Sequence, residues 1–124
     1  MKLVDWIPVV VVVAVAVAYL LLKRAGQISA KAAAEYLQHG AVVIDVRNAT
    51  EFGIRHVPRA INVPLDEVEE LLPRRVKDKD RVILLHCQTG MRSKEAKEKA
   101  EGMGYTNVFN LGSYNRAAKI VSYR

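Results

Sequence analysis

The chain has 124 residues and a single cysteine, so it has room for one domain of about a hundred residues behind an apolar N-terminal stretch. An intrachain disulfide is excluded, and no second thiol is present to resolve a covalent intermediate. The net charge of +6 falls entirely after Leu22, but its cations are interleaved with acids, as in Lys77-Asp78-Lys79-Asp80-Arg81. That pattern, without an aromatic-studded basic stripe, argues against nucleic acid and fits a solvated surface near an anionic membrane.

From Trp6 to Leu22 there is no charged residue, and Lys23-Arg24 end the run abruptly. Seventeen residues in a helix span about 25 Å, and adding Leu3 and Val4 reaches the length a bilayer requires. Trp6 and Tyr19 sit toward the two ends, as interfacial aromatics do, and Pro8 falls in the first turn, where its missing N–H does no harm. The segment reads as a single-pass membrane anchor. The competing reading is a cleaved signal peptide with Ala16-Val17-Ala18 as its site, but cleavage there would leave the greasy terminus Tyr19-Leu20-Leu21-Leu22. Residues 1–24 are thus assigned to the anchor and its flanks, and residues 25–124 to the domain. Lys23-Arg24 favour a domain facing the cytoplasm, with the periplasmic side as the alternative.

After the short linker Ala25-Gly26-Gln27, Ser29 is placed to N-cap a helix from Ala30 to Leu37, with Gly40 as its stop. Val42 to Val46 is apolar on both faces and predicts a buried parallel strand. Asn48 caps a short helix through Phe52, and Ala60 to Val63 is a strand ended by Pro64. A helix is expected from Asp66 to Leu72, stopped by Pro73. Val82 to His86 is the next strand, followed by a polar loop and a helix reaching Gly102. Asn107 to Asn110 is the last strand, and Arg116 to Val121 a final helical turn. Strands alternating with helices predict a parallel α/β sheet with helices on its faces, and ligands at the carboxyl ends of its strands.

Cys87 stands at such an end, at the head of His86-Cys87-Gln88-Thr89-Gly90-Met91-Arg92-Ser93. Successive N–H groups in a strand-to-helix loop can converge as a nest, and the helix behind presents its positive end. A thiol there is driven from about 8.5 into a range of roughly 3.5–7.5, giving a nucleophile in a cradle suited to an anion. The sequence therefore places Cys87 as nucleophile at the mouth of an amide ring, with Gln88, Thr89, Gly90, Met91 and Arg92 holding the substrate. The alternative is a buried structural cysteine. Arg92 is expected to supply a fixed positive charge at the far lip.

The loop resembles that of the single-domain rhodaneses, the thiosulfate sulfurtransferases, and the resemblance extends well beyond it. Val42-Val43-Ile44-Asp45-Val46-Arg47, Glu51-Phe52 and His56-Val57-Pro58-Arg59-Ala60-Ile61-Asn62-Val63-Pro64-Leu65 look like that family's opening signature. Gly104-Tyr105-Thr106-Asn107-Val108-Phe109-Asn110-Leu111 looks like its closing strand. The subgroup most resembled is the small phage-shock-type rhodanese, which is exported and carries a hydrophobic N-terminus. The resemblance implies a rhodanese-like α/β fold and sulfur transfer from thiosulfate, or a related anionic donor, through a persulfide on Cys87. A thiol or cyanide would be the acceptor, with no metal or organic cofactor. It also implies scaffold roles for Asp45 and Arg47. The chain departs from the family at Gly112-Ser113-Tyr114-Asn115, where relatives have a Gly-Gly turn, and at Met91, where small residues are usual.

Asp45 and Arg47 lie where a neighbouring strand ends, and they either shape the rim or hold an ion pair, Arg47 with Glu51. His56 reads as a structural histidine beside Pro58, His86 as a core histidine pointing away from the loop, and His39 as surface. Three scattered histidines and one cysteine have no metal-ligand spacing. A cysteine phosphatase or arsenate reductase would need C-x5-R, whereas Cys87 and Arg92 form C-x4-R and Ser93 takes the arginine's place. The remaining alternative is a slow or non-catalytic membrane-tethered sulfur carrier or interaction module.

Overall fold

Four short strands form one all-parallel sheet in a computed structural model that describes residues 2–123, except for the side chains of residues 23–25. They are β1 (Val42–Asp45), β2 (Ile61–Asn62), β3 (Ile83–His86) and β4 (Val108–Gly112), in the spatial order β2-β1-β3-β4. Asp45 pairs with Asn62 on one side and His86 on the other, so the carboxyl ends of the strands lie level. This is the α/β architecture expected from alternating strand and helix patterns.

Strand side chains alternate between faces, and the core divides accordingly. Val42, Ile44, Val46, Ile83 and Leu85 pack with Val68 and Leu72 of α4 (Val68–Arg75) and Ala96 and Ala100 of α5 (Met91–Gly102). Val43 and Leu84 face the other way, against Ala33 and Leu37 of α2 (Ala30–Gln38) and Ala117 and Ile120 of α6 (Tyr114–Val121). Both faces are covered, as a parallel sheet requires. Continuing the alternation past Leu85 puts Cys87 on the α5 side.

Local signals behave as the residue types dictate. Ser29 accepts from Ala32 N–H and caps α2. Asn48 and Glu51 form a reciprocal capping box that starts α3 (Ala49–Ile54). Several boundaries differ from expectation: α3 runs on to Ile54, β4 covers Val108–Gly112, and the last helix begins at Tyr114 rather than Arg116. The segment from Leu65 to Glu67 is a 3-10 turn, and α4 then continues through Pro73 to Arg75. Proline removes only one hydrogen bond near the end of a short, half-solvated helix, so the chain does not break there. Helix α5 begins at Met91, directly after Gly90, which keeps the loop short and places Met91 and Arg92 in its first turn.

The N-terminal α1 (Ile7–Ala25) follows a 3-10 turn at Leu3–Trp6. The stretch Leu3–Leu22 is long and apolar enough to cross a membrane, and none of it is buried against the domain. Past it the chain re-engages the sheet: Gln27 forms a parallel bridge with Asn110, and Ile28 N–H donates to Asn110 O at 3.0 Å.

Candidate active site

Strand β3 delivers Cys87 to the carboxyl edge of the sheet with a change of register. Leu85 pairs with Asn110 but His86 pairs with Gly112, so Leu111 is the extra residue of a bulge. Such a bulge re-aims the chain, and here Cys87 N–H donates to Gly112 O at 3.2 Å. Gly90, at φ +99°, turns the loop into α5 in a conformation that costs glycine little, and its N–H donates to Cys87 Sγ at 2.9 Å.

The Ser93 hydroxyl stands 3.5 Å from the same sulfur. Burial alone pushes the thiol up. Hydrogen bonds from the Ser93 hydroxyl and from the N–H groups of Ser93, Gly90 and Thr89 outweigh it and leave Cys87 below its ordinary value. At the sulfur itself the hydrogen-bonding groups are the Gly90 N–H at 2.9 Å and the Ser93 hydroxyl at 3.5 Å. The sulfur is not at a mouth. Cys87 is 0% exposed, within the apolar layer that includes Leu85 and Ala96, while Gln88, Thr89 and Met91 of the same loop are exposed. The side chain follows the strand's alternation inward, and that geometry outweighs its position at the loop's head.

Asn110, buried on β4, holds this arrangement from behind. Its Oδ1 accepts from the Ser93 hydroxyl at 2.7 Å and from Gly112 N–H at 2.9 Å, and its Nδ2 donates to Gly90 O at 3.1 Å. Neither Ser93 nor Asn110 stood out in the sequence as part of the site. Asn110 lies seventeen residues after Ser93, and only the pairing of β3 with β4 brings them together.

Arg92 is not a free cation at the lip. Its guanidinium makes a two-pronged pair with Glu51, at 2.7 and 3.0 Å, tying α5 to α3. Hydrogen bonding from Arg92 holds the Glu51 carboxyl at about 2, against 4.5 for the ordinary group. The pairing of Arg47 with Glu51 is likewise corrected. Arg47 Nη2 binds Asp45 Oδ2 at 2.8 Å, and Asp45 Oδ1 also accepts Arg47 N–H at 2.9 Å. A partner two residues away on the same chain end is closer than one across the helix cap.

Asp45 and Arg47, both buried, form a scaffold under the site. His86 lies beside them, fully buried, with Nδ1 donating to Cys87 O at 3.2 Å and Nε2 3.7 Å from Asp45 Oδ2. Arg47 and Arg55 each lie over the Tyr114 ring, at 4.7 and 4.5 Å, and Tyr114 N–H reaches Gln88 O at 3.4 Å. The Gly112-Ser113-Tyr114 turn therefore borders the cysteine loop, also through a bridge between Ser113 and Thr89. His56 is exposed and stacks on Phe52, and His39 caps the exposed end of α2. Among the described residues no group of His, Cys, Asp and Glu is placed to hold a metal ion.

The arrangement can lower a thiol, stabilise negative charge on or next to its sulfur, and do so from backbone groups fixed by the sheet. Proteins of known sequence and structure resemble the chain as a whole. A model of the Rhodanese-like domain matches residues 29–118. The thiosulfate sulfurtransferase PspE of Escherichia coli (strain K12) is 44% identical over 69 residues, which cover 56% of this chain and 66% of that protein. A tRNA uridine(34) hydroxylase of Erwinia tasmaniensis is 33% identical over 75 residues, covering 57% of this chain and 21% of that enzyme. The chain thus spans less than two thirds of the length of either relative. A solved structure described as a rhodanese with anions from E. coli superposes with a TM-score of 0.60 at 39% identity, covering 62% of this chain and 91% of that one. Matched over most of its length by the domain model and by fold, the chain belongs to the rhodanese-like domain family.

Proposed function

We propose that the chain is a sulfurtransferase that moves sulfane sulfur from thiosulfate, or a similar anionic donor, to a thiol through a persulfide on Cys87. The observation behind this reading is the convergence of the Gly90 N–H, at 2.9 Å, and the Ser93 hydroxyl on the Cys87 sulfur. In the first step the Cys87 thiolate attacks the outer sulfur of thiosulfate. A sulfur–sulfur bond forms on Cys87, the bond within thiosulfate breaks, and sulfite leaves with the electron pair. In the second step an acceptor thiolate, or cyanide in an assay, attacks the outer sulfur and returns Cys87 as thiolate. The Gly90 N–H and the Ser93 hydroxyl lie where negative charge develops in both steps. Gln88, Thr89 and Met91 are the exposed loop residues an incoming donor passes, and Arg92 serves through its pair with Glu51 by fixing the first turn of α5.

A second reading, a sulfur carrier that loads once and cycles slowly, is favoured by one observation, the complete burial of Cys87. We also read residues 6–22 as a single-pass anchor, on the apolar length of Leu3–Leu22 and its lack of burial.

The test is the intact mass of the full chain after thiosulfate treatment. A gain of one sulfur atom, removed by reductant and absent in Cys87→Ser, is expected. A gain that persists in Cys87→Ser would sink the mechanism. Repeated turnover with cyanide separates catalyst from carrier.

A further inference from the structure

Gln27 lies in the linker, five residues past the last leucine of the apolar helix, yet its side chain rests on the cradle. A Cβ built on Gly90 would stand 3.0 Å from Gln27 Nε2, and one on Gly112 would stand 2.9 Å from Oε1 and 3.0 Å from Cδ. The carboxamide therefore lies across two glycine faces that both carry positive φ. These are the two residues whose backbones define the cysteine's surroundings. Gly90 N–H donates to the Cys87 sulfur, and Gly112 O accepts the Cys87 N–H.

The Gln27 segment is itself pinned. It bridges Asn110, Ile28 N–H donates to Asn110 O, and Arg116 donates to both Ile28 O and Leu111 O. Asn110, in turn, bonds Gly90 O and Gly112 N–H through its side chain. Gln27 and Asn110 thus grip the same two glycines, one from outside the sheet edge and one from within it.

We propose that Gln27 is a positioning residue for the Cys87 cradle, so that the linker after the apolar helix is a working part of the candidate active site. The side chain fills the space above Gly90 and Gly112 and holds the Gly90 N–H on the sulfur. Its chemistry suits the position: an uncharged amide presents bulk without placing a carboxylate beside an amide that must stabilise a thiolate. The functional consequence rests on Cys87 being the sulfur-bearing nucleophile, but the geometry does not.

The experiment uses the full-length chain in detergent and follows the rate of Cys87 alkylation by iodoacetamide against pH. This reads the sulfur-free thiol of the reduced protein, independently of whether the chain transfers sulfur. Gln27→Glu, which keeps the shape, is expected to raise the apparent thiol midpoint by about one unit, by setting a negative charge beside the Gly90 amide. Gln27→Ala is expected to raise it by about half a unit by loosening the loop, and Gln27→Met, which refills the space, to restore the original profile. Unchanged profiles in Gln27→Glu and Gln27→Ala, with or without a lower melting temperature, would overturn the proposal, as would a methionine variant matching the alanine one. Failure of sulfur transfer is seen separately, as no mass gain from thiosulfate with these alkylation shifts intact.

Discussion

The Ser93 hydroxyl donates to Asn110 Oδ1 at 2.7 Å while standing 3.5 Å from the Cys87 sulfur. One proton thus has two acceptors within reach, the amide oxygen when the thiol is protonated and the sulfur once it is ionised. Asn110 Oδ1 keeps its bond from Gly112 N–H in either case, so the hydroxyl can turn without leaving a buried acceptor bare.

Ser93→Ala removes that mobile donor and leaves the backbone nest. The Cys87 thiol is expected to ionise at a pH higher by about one unit, with the fold retained. Thiolate absorbance titrated against pH measures it, and an unmoved midpoint would show that the backbone amides act alone.

Asp45→Ala is expected to be far costlier than its distance from the sulfur suggests. It leaves the Arg47 guanidinium buried without its carboxylate, a loss of about 3–5 kcal/mol. Urea denaturation followed by circular dichroism should show the midpoint collapse, and a change under about 1 kcal/mol would mean water reaches Arg47 in the mutant.

His86 sets a pH dependence of stability. Burial lowers its pKa below the ordinary 6.5, with the nearby Asp45 carboxylate only partly opposing. The unfolded chain therefore takes up a proton first, and the contribution present above pH 6.5 is lost as pH falls toward the depressed folded value. Melting temperature should drop between pH 7.5 and 5.5, and His86→Phe should flatten that slope even if the protein is less stable throughout. An equal slope in both proteins would assign the effect elsewhere.

Val11→Arg tests the anchor. A cation at the middle of a spanning helix costs about 2.5–3.5 kcal/mol, so the variant is expected to leave the carbonate-resistant membrane fraction. Its retention there would argue against a span. A mature chain starting at Tyr19 would identify the segment as a cleaved signal instead.

The fold was legible where local chemistry decides it. The apolar runs at Val42 and Ile83 gave the parallel sheet, and Ser29 and Asn48 marked helix starts by their capping oxygens. Site features that depend on three-dimensional pairing were not. Asn110 is an ordinary strand residue until β4 lies beside β3, and Arg92 looks like a free cation until α3 brings Glu51 to it. The inward turn of Cys87 follows from strand alternation, a rule that competes with its place at the head of a loop. Pro73 misled because a helix stop is a tendency that a two-residue overhang can absorb.

The pairing of Gln27 and Ile28 with Asn110 also matters for how the domain can be released from its N-terminal helix. Strand β4 is an outer strand of the sheet, and these residues occupy part of its open side. A proteolytic cut beyond Ile28 would strip them away and leave hydrogen-bonding groups ready to recruit a strand from another molecule. Cleavage between Leu22 and Gly26 would shed the same domain with that side still guarded, so the position of the cut decides between a freely diffusing product and one prone to clumping.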